Sequence, residues 1–238
     1  MNIGVRTLVD QDLRDVSATK TQTLGSVGVT ADGRVFRYAQ AGAVAISPGT
    51  LLVNADLDAN VTNKTVAASV AVGSQTVTVN AAGAVVQDAY ADGFLVANDA
   101  AGEGIAYRIV GNTGVSGAGV VTVKLAEPVR VAMTVSVSEV TLKPNTYAGV
   151  LISITDQADQ AVGVSNVTIP ATYYGWIQTR GECAVLADEA VTKGLALTTG
   201  TGTAGAVEAL DAAGEQQIGV ASEALVDTEM RAVFLQMD

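Results

Sequence analysis

The sequence predicts an all-β protein: a β-barrel or sandwich core, an inserted or appended β domain, and an extended N-terminal arm. Three observations carry this. Short runs rich in Val, Ile and Thr recur roughly every 10–15 residues, the spacing of sheet proteins. Glycine-bearing turns separate them, drawn from 25 glycines. No segment keeps a helical period over the roughly 12 residues that a free-standing helix needs.

Residues 1–20 are polar and read as an extended arm or a weak short helix. Val35-Phe-Arg-Tyr-Ala39 follows the turn Ala31-Asp-Gly33 and reads as a strand. Ala43-Val-Ala-Ile46 is expected to be another, then the turn Ser47-Pro-Gly49 and the strand Thr50–Val53. Val66–Val70 and Gln75–Val79, joined through Gly73-Ser74, resemble a hairpin. Val77 and Val79 alternate there with Thr76 and Thr78, a half-buried pattern.

Gly93–Ala97, Gly104–Val110, Gly119–Leu125 and Val135–Val140 repeat the style, with Gly111–Gly119 as a flexible tip. Further strands are expected at Gly149–Ile154 and Tyr174–Gln178. Gln160-Ala-Val-Gly-Val-Ser165 echoes Gln217-Ile-Gly-Val-Ala221, and each precedes an aromatic strand, Trp176-Ile-Gln178 or Phe234-Leu-Gln236. The echo suggests two related strand pairs in one barrel. The best helix candidates are short, Asp188–Ala190 and Ala206–Leu210. The division that follows is an arm (1–20), a β core (21–58 plus 142–238) and a β-rich insertion (59–141). A sequential two-domain arrangement is the rival.

Composition narrows function. Hydrophobic residues make up 49% of the 238, much of it Ala and Val, so the core is built from small side chains. Net charge is −11, and 13 bases are scattered among 24 acids. Nucleic-acid binding needs clustered Lys and Arg, so no direct nucleic-acid partner is expected. Ten acids fall between Glu182 and Asp238, against Lys193 and Arg231 alone. Residues 1–40 are near neutral and could lie on an acidic surface of this or a neighbouring subunit. Acid that only keeps the protein soluble is the simpler account. The first residues lack the apolar stretch of a signal peptide, and no run approaches the roughly 18 apolar residues of a membrane helix. A soluble chain made in a cytoplasm is the expectation.

There is no histidine, and one cysteine, Cys183. This removes His-based triads and most zinc sites. Cys183 without a His partner reads as a small core residue. Gly200-Thr-Gly-Thr-Ala-Gly205 matches G-x-G-x-x-G in form, but no strand-and-helix unit surrounds it, so it reads as a β-turn. Asn54-Ala-Asp-Leu-Asp-Ala-Asn60 spaces oxygen ligands as a calcium loop does. Ala59 and Thr65 stand where that loop needs Gly and Glu, so it reads as a polar linker. Asp188 and Glu189 are adjacent and would face opposite sides of a strand. No catalytic residue, cofactor site or metal site is read, and the chain is not expected to be an enzyme. Three glycosylation sequons, at Asn60, Asn63 and Asn166, carry no weight without a secretory signal.

Thr172-Tyr-Tyr-Gly-Trp-Ile-Gln-Thr-Arg-Gly181 holds the single tryptophan and two of six tyrosines in a chain that is 4% aromatic. Tyr174 and Trp176 share one face of a strand, and Tyr173 and Ile177 the other. These four are the candidate core and interface residues. Trp176 reads as a core anchor, with the Tyr173–Ile177 face left to meet another subunit. Gly175 would let a neighbouring backbone pass closely. A ligand-stacking site is the alternative.

Several stretches resemble the head decoration, or cement, proteins of tailed bacteriophages. They are Leu24–Tyr38, Ala41-Gly42, Pro48–Leu51, Gly102–Ile109, Tyr173–Gly181 and Ile218–Ala221. None is a catalytic signature. The resemblance implies a structural virion protein on the outer capsid surface that binds the major capsid protein and stabilises the head by bridging capsomers. It also implies a homo-oligomer, commonly a trimer. A shell protein needs an arm to reach its neighbours, and the arm read at residues 1–20 is expected to lie over an adjacent subunit. A head-fibre base, a tail component or a surface carbohydrate-binding β module are the alternatives.

Overall fold

The computed structural model describes residues 5–154 and 159–238. The strands are β1 (Arg6–Thr7), β2 (Val27–Val29), β3 (Val35–Gln40), β4 (Leu51–Val53), β5 (Lys64–Thr65), β6 (Thr76–Ala81), β7 (Phe94–Asp99), β8 (Ala106–Asn112) and β9 (Gly119–Leu125). They continue as β10 (Glu139–Lys143), β11 (Leu151–Ile152), β12 (Ala161–Ser165), β13 (Tyr174–Leu186), β14 (Ala196–Thr199), β15 (Val207–Ala209), β16 (Gly219–Ala221) and β17 (Met230–Gln236). The helix among the described residues is α1 (Asp10–Arg14), so the protein is all-β. The chain forms two compact units, Met1–Ala55 with Thr146–Asp238, and Asp56–Asn145.

The Asp56–Asn145 unit is a nearly closed six-stranded barrel in the order β5-β10-β7-β8-β9-β6. The Val66–Val79 bridge and the Ala67 N–H to Thr78 C=O bond (2.8 Å) bring β6 back beside β5. Period-two alternation makes this work: Val77, Val79, Val121, Val123, Leu95, Tyr107, Ile109, Val140 and Leu142 point inward and are wholly buried. The expected hairpin of 66–70 with 75–79 is therefore only a bridge, because β6 spends its ladder on β9. The Gly111–Gly119 tip is also tied down, by paired bonds between Val85 and Val115 (2.8 Å each).

The other unit carries an 11-stranded sheet whose path runs β1-β2-β3-β13-β17-β16-β14-β15. A parallel bridge from Val207 to Ala187 returns β15 to the chain just after β13. That ring encloses Cys183, Val185, Leu197, Val207, Val233 and Leu235. A second cluster, Ala39, Ile46, Leu52, Val150, Val162, Ile169 and Ile177, packs against the first half of β13. A third gathers Leu8, Leu13, Leu24, Phe36, Tyr38 and Trp176.

Five local expectations change. Val135–Val140 is a turn that enters a strand only at Glu139, with the Val137 and Ser138 amides both bonded to the Thr134 carbonyl. Ala43–Ile46 is not a strand: only Ile46 bridges, to Ile169, while Val44 is exposed. Gly149–Ile154 shrinks to a two-residue strand, preceded by an isolated parallel bridge from Val150 to Ala41. Ala206–Leu210 is not helical but contains β15, because pairing with β14 outweighs the helix propensity of Ala, Glu and Leu. Asp188–Ala190 is a bend, with Asp188 N–H bonded to Val207 C=O (2.9 Å). The segment read as an arm or weak helix contains both an extended piece and a short helix. β1 runs parallel to β2, α1 follows, and Leu8 and Leu13 lie buried on this chain's own core.

Candidate functional site, the long strand β13

β13 has 13 residues and changes partner midway. Tyr174–Gln178 pair with β3, and Arg180–Leu186 pair with β17. Arg180 is the changeover, in register with both Val35 and Gln236, and the ladder is irregular between Gln178 and Arg180.

The first half is an aromatic anchor. Trp176 is 4% exposed and meets Tyr38 edge-on, with ring centroids 5.3 Å apart. Tyr174, half-buried, stacks on Tyr38 at 6.0 Å. Gly28 makes room for this packing. A Cβ there would lie 2.3 Å from the Leu8 Cδ1 and 3.0 Å from the Trp176 ring. The opposite face is closed within the chain. Ile177 is wholly buried, and Tyr173 is half-buried against the same cluster. Ile177 thus does not offer a surface to another subunit. At Gly175 it is the Ile169 side chain, not a backbone, that passes closely, 2.9 Å from an added Cβ.

At the changeover the strand's polar groups need substitutes for missing ladder partners. Gln178, wholly buried, supplies them. Its Nε2 donates to the carbonyls of Arg180 (3.1 Å) and Glu182 (2.9 Å), and its Oε1 accepts from Asn166 Nδ2 (2.8 Å). The Cys183 thiol donates to Asn166 Oδ1 (3.1 Å). Burial pushes that thiol's pKa up to about 12, which suits a packing residue and not a nucleophile. On the other side Asp238 accepts from Thr179 Oγ1 (2.7 Å) and from Arg37, and Arg37 Nη1 donates to the Gly25 carbonyl (3.0 Å).

Two concavities border β13. One, about 370 Å³, is lined by Arg6, Asp12, Asp15, Gln22, Tyr38 and Trp176, among others. Its aromatic floor is the place a ligand-stacking reading would use, yet Tyr38 and Trp176 are 3% and 4% exposed and present no open ring face. The other, about 540 Å³, lies over the changeover between Asp32-Gly33-Arg34, Arg180-Gly181-Glu182 and Phe234.

The motifs singled out in the sequence resolve into structural roles. Gly200–Gly205 is the turn between β14 and β15. Its Gly202 amide donates to Asp188 Oδ2 (2.6 Å), and its Thr201 amide and hydroxyl donate to Glu208 Oε2 (2.9 and 2.8 Å). Amides already bonded to the Asp188 and Glu208 carboxylates are not offered to a phosphate. In the Asn54–Asn60 stretch, Asn54 Oδ1 accepts from the Gln160 amide (3.0 Å). Asp58 accepts from the Asn60 amide (2.9 Å) and the Tyr90 hydroxyl (3.2 Å). Among the described residues no three acids or cysteines cluster as metal ligands, and no helix is long and apolar enough to cross a membrane. Sequence reasoning missed Gln178, Arg37 and Asp238. A Gln following Trp176-Ile177 inside the expected strand was the available signal for the first; the Arg37–Asp238 pair left none.

No known protein family, curated protein or solved structure matches this chain.

Proposed function

We propose that this chain is a structural virion protein, a capsid decoration protein that binds the outer surface of a phage head and stabilises it by bridging capsomers. One observation carries the reading. Most of the stretches that resemble the cement proteins fall in a single unit and on linked strands. Leu24–Tyr38 spans β2 and β3, Tyr173–Gly181 lies on β13, Ile218–Ala221 ends in β16, and Pro48–Leu51 leads into β4. The resemblance therefore belongs to the scaffold, as suits a protein whose work is mechanical. The carboxylates of Asp188, Glu208 and Asp238 support this reading, since they serve backbone amides and a cation as structural bonds. The major capsid protein is the partner this function requires, with the chain assembling as a homo-oligomer.

The position of the chain in a reconstruction of the particle tests this. Density over the outer face of the head is the expected result. Density confined to the tail would replace the reading with a tail component.

A further inference from the structure

The outer face of the β13–β17 pair brings exposed apolar side chains together with an unpaired cation. Phe234, one of three phenylalanines, is 37% exposed on it, and Met230 is 50% exposed at its far end. Arg180 is exposed, and among the described residues its guanidinium has no hydrogen-bond or ion-pair partner. Across the two strands the registered pairs are Arg180–Gln236, Glu182–Phe234, Ala184–Ala232 and Leu186–Met230. The alanines keep the flank beyond Glu182 flat, so another sheet can approach to the roughly 10 Å of face-to-face packing.

The charges choose the occupant. Arg180 and Glu182 stand on the same face two residues apart, about 7 Å along the strand. A uniformly acidic partner would gain at Arg180 and lose at Glu182. A second copy, turned by a two-fold axis over Gly181, sets Arg180 of each chain against Glu182 of the other. The contact is then self-complementary and doubled, as an isologous interface requires. Glu182 is held upright for this by Ser222 Oγ, which lies 2.8 and 2.9 Å from its two oxygens. With Arg34 and Asp32 at the rim of the adjoining cleft, the face is near neutral. The chain as a whole carries −11, which elsewhere opposes association of copies.

We propose that the Arg180–Glu182–Phe234 face is a two-fold contact between copies of this chain. The proposal rests on this geometry and does not depend on the virion reading. Sedimentation equilibrium of the intact chain tests it with Arg180→Glu, Glu182→Arg and the double exchange. The wild type should associate reversibly. Each single reversal should weaken association by about tenfold or more, because it sets like charges together twice. The double exchange should restore it to within about threefold of wild type. Both substituted positions are exposed, and unchanged melting serves as the control for folding. The proposal is overturned if the double exchange stays as weak as the singles, if the singles associate like wild type, or if wild type stays monomeric up to roughly millimolar concentration.

Discussion

Arg37 and Asp238 lie 201 residues apart and meet as a two-pronged ion pair, Nε to Oδ2 at 2.8 Å and Nη2 to Oδ1 at 2.9 Å. With Thr179 Oγ1 on the same carboxylate, the pair fastens the end of β17 to β3 and to the middle of β13. Bidentate geometry gives such a pair more weight than an ordinary surface bridge. Both side chains are about a quarter exposed, which limits its strength. Arg37→Ala should lower stability by about 1–2 kcal/mol, read by denaturant melts.

The same carboxylate gives a pH dependence of known sign. Burial would raise the Asp238 pKa above the ordinary 3.8, but the bonds from Arg37 and Thr179 and the charge of Arg37 outweigh burial and hold it lower. A depressed folded-state pKa contributes stability that is present above the unfolded value and is lost as pH falls through the folded one. Melting temperature should therefore fall on acidification below about pH 4. Asp238→Asn should start lower at neutral pH and show a shallower acid slope. An identical slope in the variant would remove Asp238 from the account.

Gln178→Leu keeps approximate size but strands the carbonyls of Arg180 and Glu182 and leaves the Asn166 amide without its acceptor. Unpaired buried groups cost about 1–3 kcal/mol each, so a loss of roughly 3 kcal/mol is expected. Hydrogen exchange of amides in Gln178–Ala184 should quicken more than that of amides in β6 and β9.

Trp176→Ala empties the centre of the Leu8–Phe36–Tyr38 cluster and should cost about 3–5 kcal/mol. Thermal melts measure this directly. A variant that melted normally but no longer assembled would make Trp176 a contact residue and not a core anchor.

Thr198→Val goes the other way. Thr198 Oγ1 is buried and has no hydrogen-bond partner. Replacing the hydroxyl with a methyl of similar shape should be neutral or stabilising by up to about 1 kcal/mol. A loss of stability would show that the hydroxyl has a partner in solution.

The sequence exposed the alternating patterns and hid the long-range pairings. β6 and β9 were legible because small β-branched residues alternate with polar ones, and burial follows that alternation; of β13 only Tyr174–Gln178 was read, because its buried first half does not alternate. The echo between 160–165 and 217–221 corresponds to two real antiparallel pairs, β12–β13 and β16–β17. Their registers differ. Val164 stands opposite Gln178, the Gln of Trp-Ile-Gln, whereas Val220 stands opposite Phe234, the Phe of Phe-Leu-Gln. An even offset preserves which side chains face inward, so Ile177 and Leu235 are both wholly buried and the echo survives the slip. β15 was illegible because three residues of ordinary helix formers become a strand only through their partner. Trp176 was legible from composition alone. The closure of the Ile177 face was not, because it depends on Ile46, Val150 and Ile169, brought there by the fold.

We propose that this chain works mechanically, by holding a head together. The direct measurement is genome release on heating from particles carrying the chain and from otherwise identical particles lacking it. The account predicts that bare heads release their genome at lower temperature and that adding back the purified chain restores resistance. Equal heat resistance with and without the chain would contradict it.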